Sequence, residues 1–358
     1  MLEQPPKSLT PETFFASIGA ARIWLRPIGF LAGKIAAVEL LARGDGEILS
    51  AAATLPALRD ALLQQSKELQ ARFDRAFANL AGTTSWAGFD LGRRPLIMGI
   101  VNVTPDSFSD GGAFATPETA IAQGRKLVTE GADIVDVGGE STRPGAAPVS
   151  PEEELRRVDP VVRGLAAAGA IVSIDTRHAA VMEAALAAGA RIVNDVSALA
   201  SDGSVAVVAR RHTPVVLMHM QGEPRTMQTA PRYTLPSLDI AEYLEVRIAA
   251  CEAAGIRRGA IAIDPGIGFG KSRADNLEIL ARLGLLRALG CAVMVGVSRK
   301  SFLGPALPAA ERLAGSLAAA LQAWTQGAQI LRVHDVAATR QALDTAQAIQ
   351  SVSGAVRW

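Results

Sequence analysis

Asn102, Thr104, Asp106, Phe108 and Asp110 follow the apolar run Leu96-Ile97-Met98-Gly99-Ile100-Val101, and the stretch closes on Gly111-Gly112. A short β-branched run that empties into Pro, acids and paired Gly reads as a buried strand followed by a loop. Seven later runs end in the same way, each on different chemistry. They give residues 138–145 (Gly-Gly-Glu-Ser-Thr-Arg-Pro-Gly), Asp175-Thr176-Arg177, Asn194-Asp195 and Met218-His219-Met220-Gln221. Residues 264–271 (Asp-Pro-Gly-Ile-Gly-Phe-Gly-Lys), Ser298-Arg299-Lys300-Ser301 and Arg332-Val333-His334-Asp335 complete the set.

Asp175, Asn194, Asp264 and Lys300 together offer two acidic acceptors, an amide and a cation. That set suits a flat heterocycle with an amidine-like edge and a carbonyl, because a carboxylate accepts two parallel hydrogen bonds from such an edge. Arg332 and His334 stand two apart on a strand and therefore share a face. With Arg143 they form a local cationic pocket for phosphate groups. Asn102, with the acids after it, suits a hard cation such as Mg²⁺, which prefers oxygen ligands and keeps bound water. Asp195 and Asp335 also read as helix caps. Residues 264–271 do not form a P-loop, since the Walker pattern needs glycine where Pro265 stands. Their glycines let backbone approach a ligand.

These ends need elements that face them the same way. The runs at 96–103, 133–138, 171–174, 191–196, 214–218, 260–264, 292–297 and 329–333 read as strands. Ala/Leu/Glu/Arg-rich segments at 117–131, 151–169, 178–189 and 309–327 read as helices, with a last one near 337–350. Gly131, Gly189 and Gly327 each precede a strand, the pattern of a helix C-cap. Eight strand–helix units in roughly 260 residues match the size of a (β/α)8 TIM barrel, whose catalytic face collects the strand C-termini. The expected fold is therefore α/β, a (β/α)8 barrel over residues 91–358 with an N-terminal extension over residues 1–90. The extension reads as a small α/β or helical appendage. Leu58, Leu62, Leu69, Phe73, Phe77 and Leu80 share one helical face there, which predicts a single long helix near 56–79. Residues 21–31 and 34–42 read as strands or a helix, and 83–94 as the joint.

Composition removes several functions. The 358 residues carry a net charge of +1, which gives no general attraction to nucleic acid or anionic membrane. The apolar stretch 28–42 is interrupted by Lys34 and Glu39, and no run reaches the ~18 residues of a membrane span. Cys251 and Cys291 form no framework, the four histidines make no HExxH motif, and no export signal is evident, so a cytoplasmic location is expected. Asn102-Val103-Thr104 matches a glycosylation acceptor only formally.

From about Leu96 onward, the ordered strand-end motifs closely resemble bacterial dihydropteroate synthases, a pterin-binding TIM-barrel family. The resemblance implies a transferase of folate biosynthesis and a sulfonamide target. Its substrates would be 6-hydroxymethyl-7,8-dihydropterin diphosphate and p-aminobenzoate, its products 7,8-dihydropteroate and pyrophosphate. The diphosphate would leave first and the amine then attack. It implies pterin binding by Asp175, Asn194, Val196, Met218, Asp264, Phe269, Lys300 and Arg332. Diphosphate would be held by Asn102, Thr142, Arg143, Arg332 and His334, with Mg²⁺ on Asn102. p-Aminobenzoate would be held by Phe108, Arg143, Pro144 and Ser301. Lys300, Asp175, Arg332 and Asp110 would carry catalysis, and a homodimer would be the working form. Ile267 departs from the family, where Phe is common, and residues 1–90 lie outside the shared core. Two rivals are a methyltetrahydrofolate-dependent methyltransferase domain and an inactive pterin-binding protein. The first lacks the Ser298-Arg299-Lys300 pattern and the 102–112 loop. The second usually loses polar strand ends, which are all present here.

Overall fold

The computed structural model describes residues 5–31, 34–104, 116–141, 148–223 and 226–352. Strands β7 (Leu96–Asn102), β8 (Ile134–Gly138), β9 (Val172–Asp175), β10 (Ile192–Asp195), β11 (Val215–Met218), β12 (Ile261–Asp264), β13 (Ala292–Val295) and β14 (Ile330–Val333) close into one barrel. Every neighbouring pair is parallel, including the closing pair β14–β7. The helices of the outer layer are α4 (Pro117–Thr129), α5 (Pro151–Ala167), α6 (Ala179–Ala187), α7 (Ser204–Arg211), α8 (Pro236–Ala253), α9 (Arg273–Ala281), α10 (Leu313–Thr325) and α11 (Val336–Val352). The predicted strands and helices match these within a few residues. Period-2 alternation divides the strand side chains between two cores. Ile97, Val135, Val193 and Leu331 pack outward beneath the helices. Met98, Ile134, Val216, Met294 and Ile330 fill the barrel interior.

The joint before β7 folds into a small hairpin, β5 (Ser85–Trp86) with β6 (Phe89–Asp90). Trp86 is buried in the interior cluster, and its Nε1 donates to Ala260 O at 3.1 Å. Trp86 thus closes the N-terminal end of the barrel, which leaves the C-terminal end as the open one.

The extension is a mixed sheet with helices. Its elements are β1 (Lys7–Ser8), α1 (Pro11–Ser17), β2 (Trp24–Leu31), β3 (Lys34–Arg43), β4 (Ile48–Thr54), α2 (Leu55–Leu63) and α3 (Lys67–Asn79), with sheet order β1-β4-β3-β2. The single helix expected near 56–79 is two helices. Ser66 restarts the helix by accepting from Leu69 N at 3.2 Å, and Leu63 at the break is 69% exposed. A side-chain cap in mid-segment overrides the apolar periodicity, which runs on across the break. Leu58, Leu62, Leu69, Phe73 and Leu80 are nevertheless all buried. β2 and α3 pack on the 3-10 segment Leu283–Leu289, whose other side meets α8. Asn79 Nδ2 donates to Ala288 O at 3.1 Å, and Arg43 pairs with Asp239 and Glu242 on α8. The core of the extension runs without a break into the outer core of the barrel.

Among the described residues no helix is long and apolar enough to cross a membrane. Cys251 and Cys291 are free and buried, and burial pushes their thiols up to about 11 and about 12.

Candidate active site

The floor of the open end is built on Arg332. Its position on β14 is in register with Met98, and its side chain reaches carboxylates on two other strands. Arg332 Nε donates to Asp136 Oδ2 at 2.6 Å, and Nη2 to Asp175 Oδ2 at 2.6 Å. Asn194 Nδ2 donates to the same Asp136 oxygen at 3.0 Å. Asp136 is fully buried, and its Oδ1 has no partner among the described residues. Burial pushes the Asp175 carboxyl up to about 7; Arg332 opposes this, while Asp136 adds to it. Burial also works against the Arg332 charge, but Asp136 and Asp175 more than offset it and hold the guanidinium above its ordinary value.

The wall comes from the ends of β12 and β13. Asp264 Oδ1 accepts from Gly266 N at 2.7 Å. Burial raises the Asp264 carboxyl, against the pull of Lys300, the Gly266 N–H and Arg332. Lys300 Nζ donates to Ile267 O and lies 4.7 Å from the centre of the Phe269 ring. Burial lowers Lys300 to about 8, with Asp264 opposing. The loop after β12 presses against the loop after β11. A Cβ on Gly266 would fall 2.0 Å from His219 O, and one on Gly270 would fall 2.4 Å from Gln221 O. Both glycines also have left-handed backbone, so only glycine fits these close approaches.

Arg299 places the lysine. It is a non-glycine residue with φ +59, a conformation of real cost held by its surroundings. Its N–H donates to Ser316 Oγ at 2.8 Å, and its guanidinium makes a two-pronged pair with Asp335 at 2.9 and 2.6 Å. His334 packs beside it, with Nδ1 3.1 Å from Ser298 Oγ.

Asp175, Asn194, Val196, Met218, Asp264, Phe269, Lys300, Arg332 and His334 line one cavity of about 480 Å³, part of it open to solvent. They come from six successive strands, β9 to β14, and were all singled out from the sequence. Asn102 is half-buried at the end of β7, and Ser301 is exposed at the start of the 3-10 turn Ser301–Leu303; neither lines the cavity. Phe108, Asp110, Thr142, Arg143 and Pro144 lie outside the described residues. Glu140 joins the two flanks of 142–147: it accepts from Arg177 at 3.1 and 3.0 Å and from Val149 N at 3.2 Å. A larger cavity, about 840 Å³, lies at the opposite end of the barrel, between Arg93, Trp324 and Gln347, where strands begin rather than end.

Sequence reasoning missed Asp136 and Ser298 as parts of the site. The signal for Asp136 was a lone acid inside the apolar strand Ile134-Val135-Asp136-Val137. A buried charge in such a run must have a partner.

The cavity is a slot with Asp175, Asn194 and Arg332 on its floor and Asp264, Lys300 and the Phe269 ring on its wall. It can hold a planar polar ring edge-on. No side chain in it is set as a covalent nucleophile; Ser298 Oγ is engaged with His334. Among the described residues no group of three His, Cys, Asp or Glu is placed to hold a metal ion.

Comparison with known proteins shows the family. The pattern of the pterin binding enzyme family matches residues 98–334. The dihydropteroate synthase of Neisseria meningitidis serogroup B is 50% identical over 271 residues, 73% of this chain and 95% of that protein. The Xanthomonas albilineans dihydropteroate synthase solved with 4-aminobenzoic acid is 51% identical, with a TM-score of 0.69, covering 74% of this chain and 95% of that one. The Yersinia pestis dihydropteroate synthase solved with a sulfonamide drug is 45% identical, with a TM-score of 0.71, covering 74% and 96%. The matched family region begins after the extension.

Proposed function

Because this chain belongs to the pterin binding enzymes, and within them to the dihydropteroate synthases, we propose that the cavity at the C-terminal end of its barrel is the pterin site of that reaction. The chain is a dihydropteroate synthase, a transferase that joins 6-hydroxymethyl-7,8-dihydropterin diphosphate to p-aminobenzoate and releases 7,8-dihydropteroate and pyrophosphate. The methyltransferase and inactive-binder readings are set aside. The observation that carries the site assignment is the convergence of nine strand-end side chains on one slot.

Asp175, Asn194, Asp264 and Lys300 hydrogen-bond the pterin edge; Val196, Met218 and Phe269 wall its faces. Lys300 donates to a ring nitrogen or carbonyl while its charge is balanced by Asp264. Arg332 lies along the pterin and, with His334 and Asn102, faces the diphosphate. Thr142 and Arg143 join them in this reading, and Phe108, Arg143, Pro144 and Ser301 hold p-aminobenzoate. Asp110 orients the amine. The electron-rich pterin stabilises positive charge at its exocyclic methylene as the C–O bond to diphosphate breaks. The amine nitrogen then forms the C–N bond and gives up its proton. The protein contributes charge at the leaving group, exclusion of water from the cation and alignment of the amine. Mg²⁺ would need only one or two oxygen ligands from the protein. Asn102, half-buried at the end of β7, supplies such an oxygen. When bound, the ion neutralises charge on the departing diphosphate.

The reading places the enzyme in the cytoplasm as a homodimer through its last two helices. Ile349 on α11, 65% exposed, supports that surface. Purified chain supplied with both substrates and Mg²⁺ is expected to form 7,8-dihydropteroate, seen by chromatography. Sulfonamides are expected to raise the apparent KM for p-aminobenzoate and leave kcat unchanged. A sulfonamide that lowers kcat without moving that KM would place the drug outside the p-aminobenzoate site.

A further inference from the structure

Four successive backbone carbonyls in the loop after β12 each accept from a side chain. Ile267 O accepts from Lys300 Nζ, Gly268 O from Gln228 Nε2 at 2.8 Å, Phe269 O from Lys271 Nζ at 2.8 Å, and Gly270 O from Tyr233 Oη at 2.7 Å. We propose that Lys271, which does not line the cavity, is the positioning residue that holds this platform against the β11 loop and so fixes the pterin-facing ring of Phe269.

Lys271 is 3% exposed, and all three of its N–H donors are directed. Besides Phe269 O, its Nζ meets His219 Nδ1 at 3.0 Å and His219 O at 3.3 Å. Burial keeps the His219 imidazole neutral, lowering it to about 3, with Lys271 adding to the effect. With Lys271 charged its Nζ can only donate, so its contact with Nδ1 requires the His219 proton on Nε2. The lysine ties two strand ends, β11 through His219 and β12 through Phe269. Phe269 is consequently gripped twice: its carbonyl from behind by Lys271, its ring from the cavity side by Lys300. Gly266 and Gly270, closed against His219 O and Gln221 O, leave the loop no other seat on the β11 side.

A neutral donor already serves at Gly268 and at Gly270, so hydrogen bonding alone does not call for a buried ammonium, whose desolvation is unfavourable. The ammonium adds a third donor and a charge. That charge acts on Asp264, which has Lys300 and Arg332 on the cavity side and Lys271 behind. The groups acting on Lys271 are Asp264 and Asp275, which favour its charge, and Lys300, which opposes it. His219 lies in hydrogen-bond contact, and the Tyr233 ring lies at 5.9 Å. Burial lowers Lys271 to about 7. Lys271 thus supports the pterin site in two ways, by geometry through Phe269 and by charge through Asp264.

The inference rests on the pterin reading of the cavity, so wild-type binding of the pterin diphosphate is measured first, by calorimetry. No binding would overturn that reading itself. Lys271→Met keeps length and volume and removes the donors. It is expected to weaken pterin binding ten- to thirtyfold while kcat at saturating substrates stays within threefold. The acid limb of pterin binding should move to higher pH, because Asp264 has lost one of its cations. Unchanged affinity and an unmoved limb in folded Lys271→Met would overturn the proposal, as would a fall in kcat at normal affinity. If Lys271→Met does not melt cooperatively, Lys271→Arg decides. It keeps the charge but cannot meet three converging acceptors, so affinity should fall with the acid limb in place. Normal affinity in that variant, or failure of both variants to fold, would reduce Lys271 to a purely structural residue.

Discussion

Arg332→Met is expected to lower kcat/KM by about two to three orders of magnitude and to lower stability at pH 8 by about 3–5 kcal/mol, the usual range for breaking a buried pair. The reason is the floor of the site. Arg332 is the cation that compensates both Asp136 and Asp175. Without it, two carboxylates share a buried space in which, among the described residues, only Asn194 Nδ2 donates to one of them. The loss should depend on pH in a definite direction. Asp175 is held up to about 7 in the folded protein even with Arg332 present. An acid whose folded value lies above its unfolded value favours folding fully below the unfolded value, about 4, and loses that contribution as pH rises toward the folded value. In Arg332→Met the folded value rises further, so the variant should regain stability on acidification from pH 8 to 6 more than the parent does. Melting curves at the two pH values check this. A variant that melts like the parent at pH 8 and turns over normally would remove Arg332 from both roles.

Removal of residues 1–81 is expected to cost about 3–6 kcal/mol, if roughly two of the apolar side chains in Leu283–Leu289 are re-exposed at ~1.5–3 kcal/mol each. That is a fall in melting temperature of roughly 10 °C. The extension is not an independent appendage in its packing: its core is continuous with that of the barrel, and β2 and α3 cover the 3-10 segment Leu283–Leu289. Arg287 Nη2 also donates to Leu80 O at 2.8 Å, a bond the truncation deletes. No described residue of the extension lines the cavity, so the truncated protein should keep its KM values when assayed well below its melting temperature. An unchanged melting temperature would show that the extension adds nothing to the barrel. We propose that its role is this support.

The barrel was legible because its strands carry their own punctuation: a β-branched run, a polar end, and in several units a helix that closes on glycine. Gly131, Gly189 and Gly327 have φ of +102, +112 and +101, as that pattern requires. The cavity-lining residues were legible because they sit at strand ends, where the fold class itself fixes which way they face. Asp136 and Lys271 were not, because their significance is relational. Asp136 matters through Arg332, far away in sequence, and nothing near it in the chain announces the pairing. Lys271 closes a glycine-rich stretch whose P-loop spacing fails, and its partner His219 belongs to another strand end. In the extension, Ile48-Leu49-Ser50-Ala51-Ala52-Ala53-Thr54 is alanine-rich, a composition that favours helix. It becomes β4 through pairing with β3, where Leu40 faces Ala51 and Leu41 faces Ser50. Tertiary contact decided an element that local propensity could not.

The central claim is that this slot binds the pterin diphosphate and transfers its pterinylmethyl group to an aromatic amine. The most direct measurement is pyrophosphate release by the purified full-length chain with Mg²⁺ and the pterin diphosphate, with and without p-aminobenzoate. Sustained release is expected only when p-aminobenzoate is present, one pyrophosphate for each 7,8-dihydropteroate formed. Folded protein that releases none under these conditions, or releases it at the same steady rate without p-aminobenzoate, would contradict it.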